Sequence, residues 1–168
     1  AEGPPDARVV IAQLEVPIDE VLAAFRFARA RGARTILNPA PAQPLPDELV
    51  ALCDVLVPNE HELELIGGVD SLLDRGVGVV VTTCGARGVT TTVRTDTSST
   101  ERHQPAFRVT PVDTTGAGDA FCGSLAARLA AGDELEPAIR YAAAAGALAT
   151  TNDGAVPSLP HARDVVAL

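Results

Sequence analysis

Short apolar runs alternate along this chain with stretches in which apolar residues recur every three or four positions. The runs begin at Val9, Thr35, Val55 and Val77, and they have the length and composition of buried strands. Between the first two runs, residues 18–31 carry apolar side chains on one helical face and stop at a glycine. Strands joined by helices usually pair in parallel. The alternation therefore predicts an α/β fold with a mainly parallel sheet.

The remaining elements are assigned by the same patterns. Val89–Val93 is predicted to pair antiparallel with the strand before it, through a tight turn at residues 84–88. Residues 94–104 contain no apolar side chain and are predicted to form an exposed loop, whereas Phe107–Val112 is predicted to be the last strand. Residues 1–7 resemble a linker. Further helices are predicted at residues 46–52, 60–66 and 161–168, as two turns at 71–74, and on either side of Gly132.

Size, composition and charge exclude several classes of protein. With 168 residues and no internal repeat, the chain is predicted to form a single α/β domain over residues 1–168. These 168 residues contain no apolar run long enough to span a membrane and no basic-then-apolar pattern typical of a signal segment. The net charge of −9 argues against nucleic acid as a partner, because binding it needs a basic face. A nucleotide could still bind through backbone N–H groups and a metal ion.

The chain has no lysine, which excludes the two commonest kinds of phosphate-binding machinery. A P-loop needs the lysine of its motif, and protein kinases need a lysine on a strand. Phosphoryl transfer by this chain must therefore use helix dipoles, arginine, metal ions and backbone amides. The three cysteines are far apart and form no CxxC pair, which argues against a zinc site. Reduced thiols predict a cytoplasmic protein.

The segment Val112–Phe121 places three small residues between two carboxylates and directly before a helix. The helical pattern starts at Phe121 and stops at Gly132, so the small residues lie at the helix N-terminus. There the free backbone N–H groups and the helix dipole attract an anion, and small side chains let it approach. The predicted anion hole consists of Gly116, Ala117 and Gly118.

Asp119 lies in the first turn of the same helix and places a carboxylate beside the predicted anion. Two adjacent negative groups have a chemical explanation if the carboxylate takes a proton from a hydroxyl that attacks the anion. This interpretation makes Asp119 the general base of a kinase. The segment alone is equally compatible with an aspartate near a helix start and a glycine turn without any catalytic role.

Four further segments have a structural and a functional interpretation. Asn59 and Glu62 form either a helix capping box or an oxygen-rich corner that orders water around Mg²⁺. Cys84–Gly88 is either an ordinary tight turn or a phosphate-binding turn within reach of Arg87. Glu15 follows a strand, where α/β sheets bind ligands, or is a solvated loop residue. The polar turn at residues 151–158 either ends a helix or binds a cation through its carbonyls and a serine.

Six segments together resemble the C-terminal part of sugar kinases of the ribokinase (PfkB) family. They occur in the order found in that family and cover nearly the whole chain. The segments are Gln13–Pro17, Asn38–Ala42, Pro58–Glu62, Thr83–Val89, Val112–Asp119 and Gly154–Ser158.

The resemblance implies a three-layer α/β/α fold that lacks the family's N-terminal strands and lid. It also implies ATP-dependent phosphorylation of the primary hydroxyl of a pentose, with D-ribose giving ribose 5-phosphate, and Mg²⁺ and K⁺ as metal ions. One alternative is a truncated or vestigial nucleotide-binding domain without catalytic activity. Another is a kinase for a different sugar or a nucleoside.

The resemblance also implies roles for individual residues, with Asp119 as the base that activates the sugar hydroxyl. Glu15 matches a sugar-contacting position, and Asn59 with Glu62 matches the motif that positions Mg²⁺ through water. Gly116, Ala117 and Gly118 match the anion hole for the γ-phosphate. The implied nucleotide-binding residues are Asn59, Thr83, Cys84, Gly85, Ala86, Arg87, Gly88, Gly118, Asp119 and Ala143. The implied positions around a monovalent cation, usually K⁺, are Asp113, Thr115, Ala149, Asn152, Gly154 and Ser158.

The chain departs from the family pattern at its start. Family members carry a long N-terminal portion that supplies the glycine-rich sugar-binding motif and most sugar contacts. That portion also forms the small β-sheet lid through which the family's homodimers form, and these 168 residues hold no counterpart of it. The segment between Gly67 and Val77 is also shorter than usual. We therefore expect ATP and a small sugar as the ligands, with the dimerising lid missing.

Overall fold

The computed structural model describes residues 7–96 and 98–168, and they divide into two compact units. The first unit runs as far as Cys84 and includes Thr90–Arg102. The second comprises Gly85–Val89 and His103–Leu168. Apart from Ala7, the linker predicted at residues 1–7 lies outside the described residues.

Nearly all of a six-stranded sheet lies in the first unit, and its strands follow one another in chain order. The first four strands pair in parallel, with Ile36 beside Ile11 and Val55. Their carboxyl ends therefore share one edge of the sheet, where open α/β sheets bind their ligands. The strands are β1 (Val9–Ala12), β2 (Arg34–Leu37), β3 (Val55–Leu56), β4 (Val79–Thr83), β5 (Val89–Arg94) and β6 (Ser99–Gln104).

Four helices form the connections between the parallel strands of the first unit. The first has acidic residues in its first turn and arginines in its last turn, as the helix dipole favours. Its apolar face packs against β1 and β2, with Phe25 fully buried. The helices are α1 (Ile18–Arg29), α2 (Asp47–Ala51), α3 (Glu60–Leu65) and α4 (Gly68–Asp74). The core between these helices and the sheet includes Phe25, Leu37, Leu49, Leu56, Leu72 and Val80.

The predicted α/β fold with a mainly parallel sheet is confirmed, but the prediction of the last strand is wrong. The residues predicted as an exposed loop contain β6, whose side chains are nearly all exposed. An edge strand pairs through its backbone on one side only. Because the side chains of β6 are exposed, they need not be apolar, and the sequence shows no apolar pattern there. Phe107–Val112 forms no strand. Its Phe107 instead packs against the buried cluster of Ala144, Ala145 and Val165.

The second unit consists mainly of three helices, α5 (Ala117–Ala131), α6 (Leu135–Ala149) and α7 (Ala162–Ala167). The first two pack closely along their length, and α7 packs against α6. Phe121, Leu125 and Leu129 are buried, as their four-residue spacing predicts. Gly132 ends α5 with a φ of +99°, a left-handed conformation that glycine adopts readily. The unit thus presents the N-terminus of a long helix after the segment at residues 112–116.

Candidate active site

The first turn of α5 follows a glycine and is exposed at Gly118 and Asp119. The helix begins at Ala117 after Gly116, which has a φ of +77° and supplies no side-chain cap. Gly118 and Asp119 are not buried, and a Cβ added to Gly118 would meet nothing within 4 Å. The N-cap residue therefore places no side chain over the amides of the first turn, and the helix dipole adds to their attraction for an anion. The Ala117 N–H donates to the carbonyl of Thr114 (3.2 Å). The carboxylate of Asp119 lies in that same turn.

Gly116 brings two separate segments of the second unit into close contact. A Cβ at Gly116 would lie 3.0 Å from the Cα of Ala155 and 3.2 Å from its carbonyl oxygen. Any side chain here would push the two segments apart, and the positive φ would strain it as well. The turn at residues 151–158 therefore lies directly against the start of α5.

Asp113 connects the same two segments through its side chain. Its Oδ1 accepts hydrogen bonds from the backbone N–H of Thr115 (2.9 Å) and from the Thr115 hydroxyl (2.7 Å). Its Oδ2 accepts one from the backbone N–H of Gly154 (3.0 Å), which is 41 residues away in the chain. Donation from the Thr115 hydroxyl, and then from the backbone N–H groups of Thr115 and Gly154, lowers the pKa of Asp113 below its ordinary value.

The turn at residues 151–158 has its own internal hydrogen bonds. Buried Ser158 donates its hydroxyl to the carbonyl of Ala155 (2.9 Å), and the exposed Asn152 donates to the Thr151 hydroxyl (3.3 Å). The Thr150 carbonyl accepts from two backbone N–H groups that precede α5, at 2.7 and 3.1 Å. Ala149 is fully buried at the end of α6.

Of the six predicted cation positions, the structure joins Asp113, Thr115 and Gly154 directly through hydrogen bonds. The oxygen-rich composition of the set suits a hard cation such as K⁺. A carboxylate offers about four acceptor positions, and the donors from Thr115 and Gly154 take three of those on Asp113. The set therefore fits a monovalent cation, with one acceptor position left on Asp113 for it. Carbonyl oxygens in the turn would supply the other contacts.

The small residues of α6 allow close approach to the start of α5. A Cβ at Gly146 would lie 3.2 Å from the carbonyl oxygen of Ala117 and 3.5 Å from the Cβ of Phe121. Glycine at this position thus lets the two helices pack with little separation. Ala143, the predicted adenine contact, lies one turn earlier on α6 and is half-buried.

The capping box predicted at Asn59 and Glu62 is present in the first unit. The Asn59 side-chain oxygen accepts from the Glu62 N–H, and Glu62 Oε2 accepts from the Asn59 N–H, both at 2.8 Å. This bonding fixes both side chains at the start of α3, just after β3. Glu62 Oε1 makes neither of these two bonds, so the pair fits a role in ordering water around Mg²⁺. Asn59 also bridges to Thr83 at the end of β4, and the Thr83 N–H donates to the Pro58 carbonyl (2.9 Å).

Two polar side chains at the same strand ends have no role predicted from the sequence. Gln13 donates to the side-chain oxygen of Asn38 (3.1 Å), and Asn38 donates to the carbonyl of Val57 (2.7 Å). They connect the segments that follow the first three strands. The signal that could have identified them is a polar residue directly after a buried strand. Glu15, the predicted sugar contact, is exposed in the segment after β1.

The glycine turn after β4 is held in place by a neighbouring backbone segment. Gly85–Arg87 form one turn of 3-10 helix, and the Gly88 N–H donates to the Gly85 carbonyl (3.0 Å). Gly88 has a φ of +104°, and an added Cβ would lie only 2.1 Å from the carbonyl oxygen of Gln104. Ala86 and Arg87 are exposed, while Cys84 is half-buried. Close contact with the Gln104 backbone thus holds the turn at Gly88, whereas residues 85–87 before it are exposed.

The described part of the chain holds neither a protein metal cage nor a spanning helix. Within residues 7–96 and 98–168, no three side chains of His, Cys, Asp or Glu are grouped closely enough to hold a metal ion. None of the helices in those residues combines the length and the apolar character needed to cross a bilayer.

The chain is similar to sugar kinases in sequence and in structure. The sequence profile of the pfkB family of carbohydrate kinases matches residues 6–162. The ribokinase of Staphylococcus aureus is 38% identical, over 95% of this chain and 56% of the relative. The deoxyribokinase of Salmonella typhimurium is 35% identical, over 95% of this chain and 55% of the relative. The structure of the Arabidopsis thaliana ribokinase in complex with ribose and ATP superimposes with a TM-score of 0.90 at 29% identity, covering 97% of this chain and 56% of that one. The chain spans about half the length of the curated relatives it matches.

Proposed function

Since this chain belongs to the pfkB family of carbohydrate kinases, we propose that it carries the nucleotide-binding and catalytic part of an ATP-dependent sugar kinase. The proposed reaction transfers the γ-phosphoryl group of ATP to the primary hydroxyl of a pentose, and D-ribose is the favoured acceptor. The observation that supports this most is the first turn of α5, where a glycine N-cap without a capping side chain and an exposed carboxylate occupy the same helix start. We also propose a cytoplasmic location, because three free thiols suit a reducing compartment.

Asp119 acts as the general base in this proposal. Its carboxylate accepts the proton of the sugar hydroxyl as the hydroxyl oxygen forms a bond to the γ-phosphorus and the bond from phosphorus to the β-phosphate oxygen breaks. The N–H groups of Gly116, Ala117 and Gly118 stabilise the negative charge on the transferred phosphoryl group. Positioning and charge stabilisation thus supply the catalysis, because little covalent chemistry remains for the protein.

The nucleotide and its metal ion are assigned to Asn59, Glu62, the turn after β4 and Ala143. Mg²⁺, when bound, neutralises phosphate charge. Asn59 and Glu62 are the residues proposed to orient its water ligands, since their mutual hydrogen bonds fix them at the start of α3. The turn from Thr83 to Gly88 is proposed to bind the nucleotide through its exposed backbone, together with Ala143 on α6. K⁺, when bound near Asp113, adds positive charge beside the anion hole.

D-ribose is favoured as the substrate for two reasons. The segments at Gln13–Pro17 and Asn38–Ala42 resemble those of the ribokinase family, and Glu15 within them is the proposed sugar contact. Two of the relatives named above are ribokinases. The third is a deoxyribokinase, so 2-deoxy-D-ribose is a competing acceptor, together with fructose and a nucleoside.

Phosphorylation of D-ribose tests the proposal. Purified chain is incubated with ATP, Mg²⁺ and K⁺, and the sugar phosphate is followed by ³¹P NMR, with the competing acceptors in parallel. We expect ribose 5-phosphate to form faster than any other product. Faster phosphorylation of another acceptor would overturn the assignment of ribose, and a matched reaction with Asp119→Asn controls for contaminating kinases.

A nucleotide-binding domain without catalytic activity is the second candidate, because the chain spans about half of its relatives. Isothermal titration calorimetry separates the two candidates. Binding of both MgATP and ribose supports the kinase. Binding of MgATP without ribose, together with no sugar phosphate in the NMR assay, supports the second candidate.

A further inference from the structure

One asparagine side chain bridges the segments that follow β1, β2 and β3. Asn38 Oδ1 accepts a hydrogen bond from the Gln13 side chain (3.1 Å), and Asn38 Nδ2 donates one to the Val57 carbonyl (2.7 Å). Because a carbonyl can only accept, the amide must face Val57 with its nitrogen and Gln13 with its oxygen. The half-buried Asn38 therefore has one orientation in which both bonds form.

The Val57 carbonyl belongs to the peptide group that leads towards the capping box of α3. The nitrogen of that peptide group is part of Pro58 and carries no hydrogen, so the carbonyl is the group through which hydrogen bonds can orient it. The next peptide group is oriented by Thr83, whose N–H donates to the Pro58 carbonyl (2.9 Å). The Asn38 amide and the Thr83 N–H thus orient the two successive peptide groups that precede Asn59.

We propose that Asn38 is a positioning residue for Asn59 and Glu62, the pair assigned to the water ligands of Mg²⁺. The inference rests on the proposed function, because that assignment is part of it. Gln13, which orients the Asn38 amide, lies two residues before Glu15, the proposed sugar contact. The two hydrogen bonds of Asn38 thus connect the segment that carries the proposed sugar contact with the segment that carries the proposed metal-orienting pair.

Hydrogen exchange of individual amides, measured by NMR without nucleotide or sugar, tests the positioning. In Asn38→Ala we expect the Asn59 and Glu62 amides to exchange at least about tenfold faster than in the wild type, because the peptide group before them is no longer held. The amides of α1 should keep their rates. In the matched control Gln43→Met, which removes the bond from Gln43 to the Leu14 carbonyl (3.3 Å), both capping-box amides should stay protected.

Two results of this exchange experiment would overturn the proposal. One is unchanged exchange of the Asn59 and Glu62 amides in Asn38→Ala. The other is an equal rise throughout α1, which would show a general loss of stability instead of a local role. If Asn38→Ala does not fold, Gln13→Met replaces it, because it removes the donor that orients the Asn38 amide. The two capping-box amides should then exchange at least about threefold faster, and rates equal to the wild type would overturn the proposal.

Calorimetric titration with MgATP measures the consequence for the ligand. We expect the Kd of MgATP to rise at least about fivefold in Asn38→Ala and to stay within about twofold of the wild type in Gln43→Met. An unchanged Kd in folded Asn38→Ala would overturn the proposal. If the wild type binds no MgATP, the proposed function fails, and the exchange experiment by itself decides whether Asn38 positions the pair.

Discussion

At the scale of single residues, the lowered pKa of Asp113 links the stability of the second unit to pH. Hydrogen bonds from Thr115 and Gly154 favour its ionised form in the folded chain and lower its pKa. A carboxyl with a lowered pKa stabilises the fold above the unfolded pKa, about 4 for aspartate. That contribution is lost as the pH falls below about 4 and through the folded pKa.

We predict that the free energy of unfolding of the wild type falls more steeply below about pH 4 than that of Asp113→Asn. Urea unfolding followed by circular dichroism at a series of pH values measures the difference. The exposed Asp153, in the same turn, provides the control variant Asp153→Asn, which should keep the wild-type slope. Parallel curves for wild type and Asp113→Asn would show that the hydrogen bonds of Asp113 do not stabilise the fold.

The three thiols differ in reactivity because their burial differs. Burial, and then the nearby Asp54 carboxylate, raise the pKa of Cys53 to about 12. At about pH 8 only about one in ten thousand of its thiols is ionised, and the thiolate is the reactive form. Cys122 is also buried, whereas Cys84 is half-buried beside the proposed nucleotide-binding turn.

We predict that iodoacetamide at about pH 8 modifies Cys84 at least about tenfold faster than Cys53 or Cys122 in the folded protein. Saturating MgATP should slow the modification of Cys84, because that residue is proposed to contact the nucleotide. Peptide mass spectrometry after timed quenching gives the three rates, with Cys84→Ser as the control. Modification of Cys53 at a rate similar to that of Cys84 would contradict the burial of Cys53.

At the scale of secondary-structure elements, local sequence patterns predict helix starts and caps, because these depend on a few neighbouring residues. The start of α5 follows from Gly116–Gly118 and the apolar repeat after them, and the helix begins at Ala117. The capping box at Asn59 and Glu62 is likewise visible from their spacing. The bond from Gly154 to Asp113 is not visible in the sequence, because it joins residues 41 positions apart and depends on tertiary structure. The roles assigned to these residues in catalysis stay predictions.

Tertiary structure also explains the two wrong strand assignments, in which β6 was predicted as a loop and Phe107–Val112 as a strand. The apolar run at Phe107–Val112 predicts a strand, but tertiary packing places Phe107 against the cluster of Ala144, Ala145 and Val165 instead. A polar run forms the edge strand, because pairing along a single edge needs backbone donors and acceptors rather than apolar side chains. Sequence period alone cannot distinguish these cases at a sheet edge.

Two glycines in the turn after β4, Gly85 and Gly88, allow a matched test of how closely another backbone segment passes the turn. Gly88→Ala would place a Cβ 2.1 Å from the Gln104 carbonyl oxygen, far inside van der Waals contact, and add the strain of a φ of +104°. We predict a loss of stability on the order of 3–5 kcal/mol. Gly85→Ala, with a φ of +55° and open space around the added Cβ, should cost only about 1–2 kcal/mol. Chemical denaturation of both variants measures this, and equal losses would contradict the close passage at Gly88.

At the scale of the whole chain, the single domain predicted from the sequence comprises two compact units. The profile of the pfkB family extends through both, from residue 6 to residue 162. We therefore expect calorimetry to show one unfolding transition, with an enthalpy of about 120 kcal/mol near 60 °C. The calorimetric and van't Hoff enthalpies should agree. Two separable transitions would show that the units unfold independently.

The proposed function depends most on Asp119, which lies beside the proposed anion hole of α5 and is assigned to take the proton from a sugar hydroxyl. The most direct measurement compares single-turnover phosphorylation of D-ribose by the wild type and by Asp119→Asn, at saturating MgATP with K⁺. Asparagine has nearly the same shape but cannot accept the proton, so we predict a rate at least about a hundredfold lower with little change in MgATP affinity. An unchanged rate in Asp119→Asn would contradict the assignment of Asp119 as the base.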